Sequence, residues 1–359
     1  MTRFKAFDTI VGMNKIIAYS FPRAGFLGNP SDGYFGKTIS FAFSDFAVEM
    51  TLSESARMKF VPGVVDDATF ASPEDLVRDL RLYGYYGGIR LLKAVSKRFF
   101  EYCMDHGVVI PRRNFTVSYK INIPRLVGLS GSSAICSAML KALMAFYEID
   151  IPLDIRPTLC LEAERELGIN CGFQDRVIQI YNGLVFMDFD RAFVEAHDHG
   201  RYERLDVSLL PNVFIAYDAN RAGESGKAHA AVKSRFEQKS ADVISAMSEF
   251  ADIAQRGRDA LLAGKKGEIP PLVNANFDLR RRIFNIAGED LRMVMTARSA
   301  GASAKFAGSG GAIVGTYEDD EHFRVISSAL STIGCTTIKP AIATDDKTLG
   351  KTAGGWRTA

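Results

Sequence analysis

An α+β fold is what this sequence predicts, and three observations carry the prediction. Strand-like and helix-like segments are interspersed without the regular strand–helix–strand rhythm of a doubly wound sheet. At 359 residues, against roughly 150 per domain, the chain is long enough for two domains. Hydrophobic residues make up 47% and charged residues 24%, which can bury a substantial core and is not the profile of a disordered chain. The polar stretch His197–Arg204, with Gly200, is the best place to divide it, giving residues 1–204 and 205–359.

The elements follow from periodicity and punctuation. KIIAYS (Lys15–Ser20) reads as a buried strand that runs into an irregular loop punctuated by Pro22, Gly25, Gly28, Pro30, Gly33 and Gly36. Ile39–Phe43 and Ala47–Leu52 alternate with period two and predict strands. Ser72-Pro73-Glu74 resembles a cap followed by a first-turn proline, opening a largely helical region to Cys103. Phe115–Pro124 is a further strand. The next helix carries Ala134, Ala138, Met139, Ala142, Leu143 and Phe146 on one stripe. Another helix runs from Arg156 towards Gly168, a residue suited to a C-cap. Strands return at GLVFMDF and NVFIAYD, followed by one long helix over Lys227–Gly257 and another around Phe277–Ile286.

Several functions are disfavoured by composition. A net charge of +2 lacks the basic excess of a protein dominated by nucleic-acid contacts. The five cysteines are odd in number and contain no C-x-x-C pair, so packed, reduced thiols are expected, with no zinc site or disulfide framework. The N-terminus lacks a secretory layout, and the apolar stretch Ala134–Tyr147 is too short to span a bilayer. A soluble, cytoplasmic protein is expected, without membrane or nucleic-acid partners.

Three Gly-Lys pairs, at Gly36, Gly226 and Gly350, lack the earlier glycine of a Walker loop, having Ser31, Arg221 and Asp345 there. A better anion site is Gly128-Leu129-Ser130-Gly131-Ser132-Ser133, between a strand and a helix. Its glycines allow close backbone approach, and a helix start offers unpaired N–H groups and positive potential. Ser132 and Ser133 would contact phosphate or a metal ion, or else merely cap the helix. Further on, Glu162, Glu164 and Glu166 alternate and cannot share one helical face. Asp175 follows a glycine-broken loop and is either a helix cap or a site residue; on the residues alone the cap is preferred. Lys305–Gly315 is a small-residue turn feeding a β-branched run, with or without a ligand.

Taken in order, PRAGFLGNPSD, IPRLVGLSGSSA and KFAGSGGAIVG resemble the three motifs of the GHMP kinases. LGNPSDGYFGKTISF, GLSGSSAI, GFQDRVIQIYNGLVFMDF, SGKAH and NFDLRRRIF are similar to the glucuronokinase group in particular. The second motif reads GLSGSSA where most of the superfamily has GLGSSA or GLSSSA, and Asn29-Pro30 replaces the acid and histidine of galactokinases, which speaks against galactose.

The resemblance implies a ribosomal protein S5 domain 2-like N-terminal half and a ferredoxin-like C-terminal half, with the site between them. It implies ATP- and Mg²⁺-dependent phosphorylation of the C1 hydroxyl of a sugar acid, D-glucuronate to glucuronate 1-phosphate. Gly128, Leu129, Ser130, Gly131, Ser132, Ser133 and Ala134 would hold the phosphates, while Ser133 and Glu164 would share Mg²⁺. Asp175 would face the acceptor hydroxyl beside Arg23. Asn29, Asp32, Gln174, Gly308 and Gly310 would line the sugar. Its carboxylate would meet an arginine, drawn from Arg176 and Arg280 to Arg282, with Arg282 the one assigned. Tyr83, Tyr85 and Tyr86 would flank adenine or serve the core. Alternatives of the same fold are another sugar or heptose-phosphate C1 kinase, a mevalonate-type kinase, and a non-catalytic sugar- or nucleotide-binding regulator.

Overall fold

The computed structural model describes residues 15–63, 66, 72–73, 87–169, 172–218, 225–286, 288–344 and 348–350. Among the described residues the strands form three sheets. The first places Thr348–Gly350, Lys15–Ser20, Val48–Ser55, Asn114–Ile121 and Lys59–Phe60 side by side, antiparallel except for the last pair. The second runs Arg23–Leu27, Lys37–Ala42, Leu184–Asp188, Arg201–Leu205, and the third Ser303–Phe306, Ala312–Thr316, Val213–Tyr217, Thr336–Ile338, both wholly antiparallel. Antiparallel pairing with helices between sheets is an α+β architecture.

Register follows the hydrophobic pattern. Ala18 lies opposite Met50 and Ile16 opposite Leu52, so Val48, Met50 and Leu52 share one buried face. That face packs on the helix Gly131–Tyr147, which also meets the helices Gly88–Asp105 and Arg156–Glu166. Surrounded in this way, the Gly131 helix buries Ile135, Cys136 and Leu140 as well as the predicted stripe. Truncating a side chain there, as in Leu143→Ala, costs about 2–5 kcal/mol.

Two expectations are corrected. The glycine- and proline-punctuated loop contains a strand, Arg23–Leu27, with every residue buried. Pairing to Lys37–Ala42 overrides the local signal there and leaves an irregularity between Gly25 and Leu27. The single long helix is two, Ser225–Glu237 and Ala241–Leu262, separated where Lys239 adopts a positive φ of 58°. The predicted helical region before Gly88 falls largely outside the described residues, as do Tyr83, Tyr85, Tyr86 and Cys171. Cys103, Cys136, Cys160 and Cys335 are free and buried. Among the described residues no helix is long and apolar enough to cross a membrane.

Candidate active site

A cavity of about 780 Å³ opens where the three glycine-bearing segments converge. That volume suits a ligand of small-molecule size. Arg23 ties the segments together. Its Nη1 donates to the carbonyls of Gly128 (2.7 Å) and Ala307 (3.1 Å), and its Nε donates to Asp175 Oδ1 (2.6 Å). Glycine is required where these backbones touch, since a Cβ on Gly308 would lie 2.1 Å from the Gly128 carbonyl and 2.8 Å from Arg23 Nη1.

Gly128, Leu129, Ser130, Gly131, Ser132 and Ser133 all line the cavity, at the start of the Gly131 helix. Amides in a first helical turn lack intrahelical partners and attract anions. Ala134 belongs to the helix proper. It is fully buried, and its N–H is committed to the Ser130 carbonyl at 3.1 Å, which removes it from the predicted phosphate contacts. Ser130 sits in the left-handed region (φ 62°, ψ 50°), an uncommon conformation for a residue with a Cβ. Its carbonyl accepts from Gln179 Nε2 at 2.9 Å, and its Oγ donates to Asp175 Oδ2 at 2.6 Å.

Asp175 stands in the first turn of the helix Gln174–Tyr181 but makes no cap bond, so the cap reading is replaced by an ion pair. Burial would raise its pKa. The Arg23 charge, then Arg176, then the hydrogen bonds from Arg23 and Ser130 outweigh burial and hold the carboxyl below its usual range. It is therefore ionised at neutral pH and faces the cavity beside the amide-rich turn.

Of the three alternating glutamates, only Glu164 points inward. It is fully buried, while Glu166 meets Lys97 and Arg98 at the surface. Arg176 grips Glu164 Oε2 through Nε and Nη2 and donates Nη1 to the Gly172 carbonyl at 2.6 Å. The other oxygen, Oε1, lies 3.3 Å from Ser133 Oγ. Adjacent oxygens around Mg²⁺ stand about 3.0 Å apart, given bonds of roughly 2.1 Å in an octahedron. These two oxygens fit neighbouring positions on one such ion, with Arg176 fixing the carboxylate from behind.

On the opposite side, Asp32 is buried and accepts from Gln174 N (3.1 Å) and Nε2 (2.9 Å). A Cβ on Gly172 would stand 2.0 Å from Asp32 Oδ2, so only glycine permits this placement. Burial first, then the Asp175 charge, pushes the Asp32 pKa up to about 6. Asn29 lines the same wall, with its Oδ1 taken by the ammonium of Lys305. Lys305 also donates to the carbonyls of Gly25 (2.6 Å) and Phe306 (3.0 Å). Burial, with Arg280 and Arg23 nearby, holds its pKa well below the usual lysine range.

Four predicted residues are not part of the cavity lining: Ala134 and Glu164, both fully buried, and Gly310 and Arg282. Gly310 backs the Gly128–Ser133 turn, its carbonyl 2.6 Å from where a Cβ on Gly128 would be. Arg282 projects outward and pairs with Glu249 at 2.9 Å. The helix Ile269–Ile283 turns about 100° per residue, so two positions separate Arg282 from the inward face. That face carries Asn276 and, four residues on, Arg280. Asn276 binds the Gly28 N–H (2.6 Å) and the Asn29 carbonyl (3.0 Å). Arg280 is buried, lines the cavity and donates to the Gly308 carbonyl at 2.9 Å. The Ser130–Asp175 bond and the Lys305–Asn29 contact were missed by sequence reasoning. Lysine among the small residues of KFAGSGG was the one signal available for the latter.

Comparison with known proteins bears on the same segments. The GHMP kinases N terminal domain family matches residues 90–183. The chain is 44% identical to glucuronokinase 1 of Arabidopsis thaliana over 301 residues, covering 82% of this chain and 83% of that one. It is 46% identical to the probable glucuronokinase 2 of the same plant over 302 residues, 82% of each. The fold resembles that of Lactococcus lactis galactokinase complexed with galactose, with a TM-score of 0.71, 14% identity and coverage of 92% and 94% of the two chains.

Proposed function

Because this chain belongs to the GHMP kinase family, we propose that it transfers the terminal phosphoryl group of ATP to the anomeric hydroxyl of D-glucuronate. One observation carries the proposal: the ionised Asp175, braced by Arg23, shares a cavity with the amide-rich turn Gly128–Ser133. The relatives named glucuronokinase supply the acceptor class.

Phosphoryl transfer asks a protein chiefly for positioning and charge stabilisation, with little covalent work. The backbone amides of Gly131, Ser132 and Ser133 hold the phosphates. Asp175 accepts a hydrogen bond from the C1 hydroxyl and orients its oxygen towards phosphorus. Its lowered pKa makes it a weak base that takes the proton late, as bonding to phosphorus acidifies the hydroxyl. Arg23 keeps Asp175 ionised and offsets negative charge as it develops. Asp32, held by Gln174, and Asn29 bind ring hydroxyls. Ser133 and Glu164 would hold Mg²⁺, which when bound neutralises charge on the phosphate oxygens. In this reading the halves meet near residue 204/205, and the enzyme works in the cytoplasm.

The test is a panel of sugars and sugar acids with coupled ADP detection, run with and without Mg²⁺. Metal-dependent ADP release on D-glucuronate, with the product phosphorylated at C1, is the expected outcome. Absence of release on every acceptor sinks the kinase reading; release on mevalonate or neutral hexoses in preference to glucuronate sinks the acceptor assignment.

A further inference from the structure

We propose that Lys305 is a positioning residue for the acceptor sugar: its buried ammonium fixes the side-chain amide of Asn29 so that the NH2 group is turned to the cavity as a hydrogen-bond donor. The inference rests on the cavity being a sugar kinase site and adds how one wall of it is set to read the acceptor.

An ammonium has three N–H donors and no acceptor. Among the described residues three oxygens accept from that of Lys305: the carbonyls of Gly25 (2.6 Å) and Phe306 (3.0 Å), and Oδ1 of Asn29. The three donors are thereby matched, and only the oxygen end of the Asn29 amide can take the third place. The other end, Nδ2, donates to no described residue, and Asn29 lines the cavity. Rotating the amide would set its NH2 against the ammonium, donor against donor, and lose a charge-assisted hydrogen bond. Room is short as well: a Cβ on Gly25 would stand 3.0 Å from Asn29 Cγ and Nδ2, so the amide packs on glycine backbone. The main chain of Asn29 is fixed separately, by Asn276 Nδ2 donating to its carbonyl at 3.0 Å.

Packing alone does not account for a lysine here. Lys305 is 2% exposed, and burial first, then Arg280 and Arg23, disfavours its charge. Replacing buried charges by apolar residues of similar volume is often neutral or stabilising. What the ammonium adds is direction at Asn29. Beside it, Asp32 is held by Gln174 N and Nε2, and Gln174 is in turn oriented by Ser40 Oγ, which donates to its Oε1 at 2.7 Å. This wall of the cavity therefore offers a fixed acceptor at Asp32 and a fixed donor at Asn29, and a sugar has to match both.

The experiment is a double-mutant cycle in the full-length enzyme with D-glucuronate as acceptor. Lys305→Met and Asn29→Ala are each expected to raise the KM for glucuronate roughly tenfold, the worth of one hydrogen bond, with kcat within about threefold. ATP affinity by calorimetry should hold. Because Lys305 acts through Asn29, the double variant should raise KM by no more than about tenfold, where independent effects would multiply to about 100-fold. A merely structural lysine would give that product, or would lower kcat and ATP affinity along with acceptor binding. Either result overturns the proposal, as does an unchanged KM in Lys305→Met. If Lys305→Met yields no folded protein, Asn29→Asp decides. It keeps a partner for the ammonium and sets an oxygen where the NH2 was, so KM should rise by at least about tenfold; an unchanged KM overturns the proposal. These outcomes leave the kinase reading intact, whereas a wild type that does not turn over glucuronate defeats that reading itself, a distinct result.

Discussion

Two arginine–carboxylate pairs lie side by side in this molecule and differ in one respect that sets their roles. Arg23–Asp175 faces the cavity, with side chains 7% and 16% exposed. Arg176–Glu164 is sealed at 1% and 0%. The exposed edge of Asp175 can receive a hydroxyl from a ligand, whereas Glu164 is held from behind and offers one oxygen beside Ser133. A buried pair holds its geometry because separating it strands a charge, and an edge pair can trade partners at less cost. The same chemistry thus leaves a carboxylate open to a ligand in one place and a sealed, bracing one in the other.

The largest effect is expected from Asp175→Asn. Loss of the ionised group should reduce kcat by about 10²–10⁴-fold, with ATP binding by calorimetry retained; a variant with near-normal turnover would end the assignment. Arg176→Met attacks the sealed pair and should destabilise by roughly 3–5 kcal/mol, because Glu164 is left buried without its partner. Denaturant titration measures this, and a loss under 1 kcal/mol would show that Glu164 finds another partner.

Asp32 sharpens the contrast through pH. Its pKa is raised to about 6 from the ordinary 3.8, so the folded state binds its proton more tightly than the unfolded one. The associated stability is full below pH 3.8 and is lost as pH rises through 6. The gap between Asp32→Asn and wild type should therefore shift in favour of the variant by up to about 3 kcal/mol, roughly two pKa units, between pH 4 and 7. A pH-independent gap would contradict the shift. Asp175 moves the opposite way and should contribute no such change in that range. The smallest effect is Ser130→Gly, which relieves the positive φ and stabilises by under about 1 kcal/mol. It should also lower kcat severalfold by removing the hydroxyl from Asp175 Oδ2; unchanged kcat would make the bond incidental.

Much of the fold was legible from local pattern. The alternation at Val48, Met50 and Leu52, the glycine ending the Arg156 helix, and the serine turn before the Gly131 helix all lie where the residues imply. The strand Arg23–Leu27 was hidden because Pro22 and Gly25 signal a loop, and only its partner strand supplies the competing stabilisation. The break at Lys239 carries no glycine or proline to announce it. In the site, the turn with unpaired amides at the helix start could be read from glycines and serines, but Asp175 read locally as a cap. Arg282 and Arg280 are indistinguishable in a run of three arginines until the helix finds its packing face.

By itself, then, the sequence determined where the chain is extended, where it is helical, and which turn offers unpaired amides, since these depend on residues a few positions apart. Tertiary structure alone decided that Arg23 meets Asp175 across 152 positions, that Glu164 turns its carboxylate to Ser133, and that Arg280 faces inward. Such pairings depend on the burial and orientation of side chains brought together by packing of distant segments, and no local periodicity encodes them.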